Sequence, residues 1–349
     1  MITRRHLLSA VGSAAWLAQR GAAQAPKTLE HMGGAPTAFS VRARAAREGK
    51  EPFNILEHCH NLGLGVIETS QPPTAPDALK TFREKLDAYH MRVIFNVPMP
   101  RRKEDLDAFD TGVKAAKDAG AVALHAAMTQ RRYEQFDSFD AFKKNFEQNQ
   151  LSVTLAEPVL RKYRLRLGIE NHKGWRSAEQ AAWLKRVGSE YVGVCLDFGN
   201  NISLCETPEQ TFENLFPLTV FCHIKDMGVE SYPDGFLLSE VPFGEGVLNL
   251  KQMVTKLREK DPNMIFLLEM ITREPLKIPV LTSKYWATFD DSYSPLPARD
   301  LARVLQLVRD NPPKKPLPKL AGLSPADQVK AEDTYNQLCV DYARKNLPL

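Results

Sequence analysis

Four side chains that can bind a metal follow apolar, strand-like runs in the second half of the chain. They are Glu170, Asp197, His223 and Glu269. A carboxylate is costly to bury alone, so a shared cation would supply the counter-charge. Three carboxylates and one imidazole suit a divalent ion such as Mn²⁺, Mg²⁺, Co²⁺ or Zn²⁺, with positions left for substrate oxygens. The sequence therefore predicts one divalent metal ion; the alternative for each residue is a salt-bridged strand end.

The spacing of these four residues indicates a repeated unit. Glu170 and Asp197 are 27 residues apart, Asp197 and His223 are 26 apart, and His223 and Glu269 are 46 apart. The first two distances are each one strand-helix repeat. The surplus in the third falls in a Gly/Pro-containing insertion, Gly228–Gly246. The ligands are thus expected at the ends of strands 5 to 8 of a parallel barrel, where such barrels carry their sites.

Short β-rich runs alternate with longer helix-period segments along the chain. The predicted strands are Thr37–Val41, Gly65–Thr69, Arg92–Val97, Val122–Ala126, Leu165–Glu170, Gly193–Asp197, Val220–Lys225 and Ile265–Glu269. The predicted intervening helices are Phe53–Asn61, Ala75–Tyr89, Lys103–Ala119, Phe139–Tyr163, Ala178–Val187, Pro208–Leu215 and Leu248–Lys260. This pattern predicts an α/β fold, a (β/α)8 TIM barrel over residues 26–271. Residues 272–349 are Pro-rich with two further helices, Ala298–Val308 and Pro325–Arg344, and predict a C-terminal helical extension packing on the barrel.

Six other polar residues lie near the predicted strand ends or in the insertion. His172 and Lys225 are candidate catalytic residues, and the candidate substrate-binding residues are Glu68, His125, Asn200 and Glu245. Lys225 could neutralise an oxyanion or a carboxylate. Five of the six have a purely structural alternative: a loop hydrogen bond for His172, a salt bridge to Asp226 for Lys225, rim contacts for Glu68 and His125, and turn formation around Glu245.

A metal beside two carboxylates suits proton-transfer chemistry on sugars. A metal bound across a ketose carbonyl and the neighbouring hydroxyl acidifies the carbon-bound proton, and a carboxylate must then remove it. Glu170 and Glu269 together would invert a stereocentre through an enediolate, whereas one base returning the proton to the adjacent carbon would isomerise. The same enediolate can expel a β-substituent or arise by loss of CO₂. The residues leave these outcomes open.

Five motifs, in order, resemble the xylose isomerase-like TIM-barrel superfamily of sugar (phosphate) isomerases and epimerases. They are Ile169-Glu170-Asn171-His172, Leu196-Asp197-Phe198-Gly199-Asn200, His223-Ile224-Lys225-Asp226, Phe243-Gly244-Glu245-Gly246-Val247 and the Glu269 strand. The resemblance spans about residues 53–270. It implies one divalent metal held by Glu170, Asp197, His223 and Glu269, and in the ketose 3-epimerase branch the two glutamates also move the proton. The chain departs from that branch at Asn200, where His is frequent.

The leading hypothesis is a metal-dependent isomerase or epimerase acting on an unphosphorylated sugar or sugar derivative, since no Gly-rich or basic anion cradle is evident. The alternative is a lyase that eliminates from a 3-keto-glycoside or decarboxylates an oxo-sugar acid. A nuclease of the same barrel type would need more His and Asp ligands than this chain offers, and a sugar-binding protein would not need all four ligands. A homo-oligomer is compatible with the sequence.

Residues 1–25 resemble a twin-arginine export signal. Arg4-Arg5 precede a weakly apolar run, 7–19, that is too short to span a membrane. The sequence thus predicts a periplasmic protein. The formal net charge is +4, and residues 1–25 contribute three Arg and no acid, so the remaining chain is nearly neutral. Neither nucleic acid nor an anionic membrane is an expected partner.

Overall fold

Eight parallel strands close into a barrel in this computed structural model, which describes residues 28–50, 52–290 and 296–349. The barrel strands are β1 (Leu29–Gly34), β2 (Leu64–Thr69), β3 (Arg92–Asn96), β4 (Ala121–Ala126), β5 (Leu167–Glu170), β6 (Val192–Asp197), β7 (Thr219–Ile224) and, after an inserted hairpin, β10 (Phe266–Leu268). Each strand pairs with the next along the chain, and β10 pairs with β1. The predicted (β/α)8 TIM barrel with a helical C-terminal extension is confirmed.

Helices cover the outside of the barrel and form the extension. They are α1 (Ser40–Glu48), α2 (Ile55–Asn61), α3 (Pro76–Ala88), α4 (Leu106–Asp118), α5 (Arg132–Gln135), α6 (Phe139–Tyr163), α7 (Ser177–Val187), α8 (Pro208–Leu215), α9 (Leu250–Lys260), α10 (Ser283–Trp286), α11 (Ala298–Asp310) and α12 (Pro325–Asn346). In α4, Phe109, Val113 and Ala116 recur at helical spacing and are buried against the core. No helix in the described part of the chain is long and apolar enough to cross a membrane.

The first strand lies earlier than the sequence pattern predicts. Thr37–Val41 is helical: a 3-10 helix begins at Pro36 and leads into α1. The actual strand β1 contains Gly33 and Gly34, which carry little β-sheet signal. A Cβ on Gly33 would lie 2.5 Å from the Val66 carbonyl oxygen, so the close approach of β1 to β2 requires glycine. The predicted strand at Thr37–Val41 is therefore wrong, because packing outweighs propensity at these glycines.

The insertion after β7 is a β-hairpin. Strands β8 (Asp226–Tyr232) and β9 (Gly235–Val241) pair antiparallel, and β11 (Leu276–Ile278) adds a third strand. The Asp226 carboxylate accepts backbone N–H bonds from Gly244 at 2.9 Å and Gly246 at 3.0 Å, which fixes the return loop. A Cβ on Gly246 would lie 2.2 Å from Asp226 Oδ1. Turn formation thus accounts for the Gly-Glu-Gly sequence.

Both long helices of the C-terminal extension pack on the rest of the protein. Helix α11 contacts β8, and α12 contacts α1. The Glu332 carboxylate of α12 accepts the backbone N–H groups of Val41 at 2.7 Å and Arg42 at 2.9 Å, so it caps the start of α1. The predicted signal peptide, residues 1–25, lies outside the described residues.

Candidate active site

The four predicted metal ligands lie together at the carboxyl end of the barrel. Glu170 ends β5, Asp197 ends β6, His223 lies in β7 and Glu269 follows β10. Each offers a ligand atom, and these atoms all lie within 4.8 Å of one another. All four side chains are buried. The alternation of strand residues explains this convergence, because inward-pointing side chains near the ends of neighbouring strands share one layer of the barrel.

The carboxylate of Glu68 contacts the imidazole ring of His223 and orients it. The Nε2 atom of His223 lies 2.8 Å from Glu68 Oε2, whereas its buried Nδ1 atom has no hydrogen-bond partner among the described residues and lies 3.5 Å from Glu269 Oε1. A carboxylate on one ring nitrogen, with the other nitrogen facing further potential ligands, is the arrangement that metal-binding histidines adopt. The hard oxygen donors and this nitrogen therefore fit a divalent cation. The structure places Glu68 as a supporting residue of His223.

Lys225 lies between two of the predicted ligands. Its Nζ atom is 2.6 Å from Asp197 Oδ2 and 2.5 Å from Glu269 Oε2. Burial would lower the pKa of Lys225, but the carboxylates, led by Asp197, raise it well above its ordinary value. The sequence alternative of a pair with Asp226 is wrong, since Asp226 is occupied by the backbone of the hairpin loop. Lys225 instead neutralises part of the carboxylate cluster.

Asn200 supports Glu170 from a short 3-10 helix, Asn200–Leu204, that follows β6. Its Nδ2 donates to Glu170 Oε1 at 3.0 Å, and its backbone N–H donates to Asp197 Oδ1 at 3.0 Å. The Oδ1 atom of Asn200 accepts a hydrogen bond from Lys173. Asn200 is thus a positioning residue that links two candidate ligands and a lysine.

His125 joins the cluster from β4. Its Nδ1 lies 3.1 Å from Glu68 Oε1, and its Nε2 lies 3.3 Å from Glu170 Oε2. Burial opposes a charged imidazole, but Glu68 and other acceptors raise the pKa of His125 well above its ordinary value. Burial also opposes a charged Glu170, yet the contact with His125 lowers the pKa of Glu170 to about 2. Glu170 is therefore ionised near pH 7.

Of the two remaining predicted residues, His172 lines the cavity and Glu245 does not. His172 lines the cavity at the mouth of the cluster, and burial lowers its pKa to about 4, so it is a neutral imidazole near pH 7. Glu245 is not brought to the cluster. Its carboxylate lies 2.5 Å from Lys315 Nζ in the C-terminal extension, and it does not line the cavity.

Four residues of the site were not predicted from the sequence. Asn96 of β3 donates to Glu68 Oε1 at 2.8 Å, and Glu240 of β9 pairs with Arg273 at 2.5 Å. Lys173 follows the His172 motif. Asn96 lies at the end of a predicted strand, so strand position could have identified it; the other three lie in loops or in the hairpin, where no periodic signal exists.

A cavity of about 850 Å³ opens above the cluster. It is lined by residues that include Glu170, His172, Lys173, Lys225, Glu269 and Arg273. This volume is within the range of small-molecule sites, and several convergent polar groups at its base are typical of an active site.

The comparisons with known proteins agree with this geometry. A family model described as "Xylose isomerase-like TIM barrel" matches residues 56–288, more than half of the chain. A 3-oxo-isoapionate decarboxylase from Pectobacterium atrosepticum is 27% identical over 109 residues, which are 31% of this chain and 40% of the relative. The chain thus matches well under two thirds of that relative's length.

Solved structures share the fold at low identity. A D-psicose 3-epimerase crystallised in the presence of D-fructose has a TM-score of 0.52 at 14% identity, covering 80% of this chain and 97% of the other. A probable 3-DHS dehydratase, AsbF, from Bacillus anthracis has a TM-score of 0.50 at 12% identity, covering 69% and 92%. At these identities the likeness concerns the fold alone.

Proposed function

Since the chain belongs to the xylose isomerase-like TIM-barrel family, as its motifs predict, we propose that it is a divalent-metal-dependent isomerase or epimerase. Its substrate would be an unphosphorylated sugar or sugar derivative. The observation that carries this proposal is the convergence of Glu170, Asp197, His223 and Glu269 beneath a cavity. A divalent cation held by these four residues would polarise a substrate carbonyl and acidify the adjacent carbon-bound proton.

The two glutamates would move that proton. Glu170 is ionised and contacts His125, a positively charged partner. Burial would raise the pKa of Glu269, but Lys225 and His223 hold it well below its ordinary value. Both carboxylates are therefore ionised near pH 7, which is the form that a proton acceptor needs. They come from β5 and from the end of β10, with β6 and β7 between them, so each could act on the substrate from its own side.

Lys225 and His172 would assist by charge and hydrogen bonding. The Lys225 ammonium lies beside Glu269 and would stabilise negative charge that develops on a substrate oxygen. His172, a neutral imidazole on the cavity wall, would hydrogen-bond a substrate hydroxyl. Asn200 and Glu68 would hold Glu170 and His223 in place.

The proposal is tested by incubating protein loaded with Mn²⁺, Mg²⁺, Co²⁺ or Zn²⁺ with ketoses, 3-keto-glycosides and oxo-sugar acids in D₂O. We expect NMR to show deuterium at one carbon with an intact carbon skeleton. Elemental analysis should find about one divalent ion per chain. About three Zn²⁺ per chain would instead favour a nuclease, and protein that never binds metal or exchanges a proton would favour a sugar-binding role.

Substitution of the glutamates separates proton transfer from metal binding. Glu170→Gln and Glu269→Gln keep an oxygen ligand but lose the proton acceptor, so each should lose about 10²–10⁴-fold in exchange rate even at saturating metal. Asp197→Asn is the matched control and should recover part of its activity as metal is raised. A metal-saturated variant without either carboxylate that still exchanges the proton near the wild-type rate would contradict the proposed roles.

A lyase is the second candidate, because the matching curated relative is a decarboxylase and Lys225 could bind a carboxylate. In the same assay, a lost aglycone or released CO₂ would identify this activity. We also propose a periplasmic location, which rests on Arg4-Arg5 and the short apolar run after them.

A further inference from the structure

Lys173 is a buried cation with an unusual environment. The other two buried lysine and arginine side chains in the described chain have carboxylate partners: Arg132 lies 3.3 Å from Glu179, and Lys225 bridges Asp197 and Glu269. Lys173 is 2% exposed, and its Nζ hydrogen-bonds the amide oxygen of Asn200. No carboxylate oxygen of the described residues lies within 4.0 Å of it. A buried ammonium without a counter-charge is destabilising.

The position of Lys173 is fixed relative to the proposed chemistry. Its backbone carbonyl accepts the Arg132 N–H at 2.8 Å, which anchors the loop. Its Nζ contacts Asn200, whose amide donates to Glu170 at 3.0 Å. Lys173 also lines the same cavity as Glu170 and Glu269. A substrate bound over the cluster would therefore lie beside this ammonium.

The charged side chains around Lys173 also favour the binding of an anion beside it. Burial, followed by repulsion from Lys225 and Arg273, lowers the pKa of Lys173 to about 8. Glu240 attracts Lys173, but it already binds Arg273 through two contacts, at 3.1 and 2.5 Å. Lys225 is likewise already paired with Asp197 and Glu269, so the carboxylates near Lys173 are engaged with other cations and none of the described residues forms an ion pair with it.

We propose that Lys173 binds a carboxylate of the substrate, so that the natural substrate is a sugar acid or an oxo-sugar acid. This inference rests on the proposed function. It names the substrate class for the same site and applies equally to an isomerase and to an epimerase. A monoanion suits one unpaired ammonium. A phosphate dianion is usually held by several free cations or by a row of backbone N–H groups, whereas the two cations near Lys173, Lys225 and Arg273, are already paired with carboxylates.

The test compares D-xylonate with xylitol, which replaces the carboxylate by a hydroxymethyl group. Calorimetric titration of metal-loaded wild-type protein should show a clear preference for xylonate. Lys173→Gln keeps a donor for Asn200 but removes the charge, so it should weaken xylonate binding by roughly tenfold to a hundredfold and leave xylitol binding unchanged. Lys251→Gln, which removes an exposed lysine from α9, is the matched control and should bind both ligands as wild type does.

Equal affinities of the wild type for the two ligands would overturn the inference. Unchanged xylonate affinity in Lys173→Gln would do so too, because the carboxylate would then be held by the metal alone. Stronger binding of D-xylulose 5-phosphate than of xylonate would overturn it as well, because Lys173 would then bind a phosphate group and not a carboxylate. Circular dichroism checks folding, and Lys173→Met replaces Lys173→Gln if that variant does not fold. Since the titrations need no turnover, a protein that prefers xylonate but never exchanges a proton would refute the proposed function and leave this inference standing.

Discussion

Lys225 and a divalent cation should compete for the same carboxylates. In the structure, the Lys225 Nζ lies 2.6 Å from Asp197 and 2.5 Å from Glu269, and all three side chains are buried. Removing one partner of a buried ion pair typically costs about 3–5 kcal/mol, because it leaves a buried charge without compensation. We therefore expect Lys225→Met to lower the free energy of unfolding of the metal-free protein by about 3 kcal/mol or more at neutral pH.

Added metal should reverse much of this loss. A ligand at 100 times its dissociation constant stabilises a protein by about 2.7 kcal/mol, and a tighter site gives a larger effect at the same concentration. Because Lys225→Met removes a cation that repels the metal, we expect the variant to bind Mn²⁺ about tenfold more tightly, which corresponds to about 1.4 kcal/mol. Metal should thus raise the melting temperature of the variant more than that of the wild type.

The assay is thermal unfolding in EDTA and across a MnCl₂ series, with calorimetric titration for the dissociation constant. Lys162→Met is the matched control. Lys162 lies 2.6 Å from Asp110, but its side chain is 57% exposed, so its loss should leave the stability nearly unchanged in either condition. Equal metal-induced shifts in wild type and Lys225→Met would refute the reasoning, since the metal would then not use the carboxylates that Lys225 contacts.

Three further predictions concern other parts of the chain. Glu68→Gln removes the charge behind His223 and should weaken Mn²⁺ binding by about 10–100-fold; an unchanged dissociation constant would mean that Glu68 does not orient the ligand. Burial raises the pKa of Glu332 from 4.5 to about 7, so its ionisation should destabilise the wild type relative to Glu332→Gln as pH rises through this window, by at most about 3 kcal/mol. Urea unfolding at several pH values measures the difference, and a pH-independent difference would contradict it. Replacing Arg4 and Arg5 by Lys should retain precursor in the cytoplasm in a cell-fractionation assay, and unchanged export would rule out the twin-arginine route.

The sequence predicted the parts of the molecule that repeat. Seven of the eight predicted barrel strands overlap observed strands, because buried parallel strands are short apolar runs separated by amphipathic helices. The same regularity brought Glu170, Asp197, His223 and Glu269 together, since strand ends in a closed barrel meet in one ring. The strand at Leu29–Gly34 was not predicted, because its glycines are required by a close approach of two backbones that only the three-dimensional packing reveals.

The groups that would choose the substrate could not be predicted in this way. Glu240 lies in the inserted hairpin, Arg273 follows β10 in an irregular segment, and Lys173 lies in the loop after β5. None has a period or a spacing that marks it, and each is polar, as most loop residues are. Their importance depends on charge balance: Arg273 is paired with Glu240, whereas Lys173 has no carboxylate within 4.0 Å among the described residues. Under the proposed function, the strands would bring a metal and a base to a substrate carbonyl, and the loops around them would select the carbonyl compound. A search for loop cations left without carboxylate partners should therefore separate members of this family that act on acids from those that act on neutral sugars.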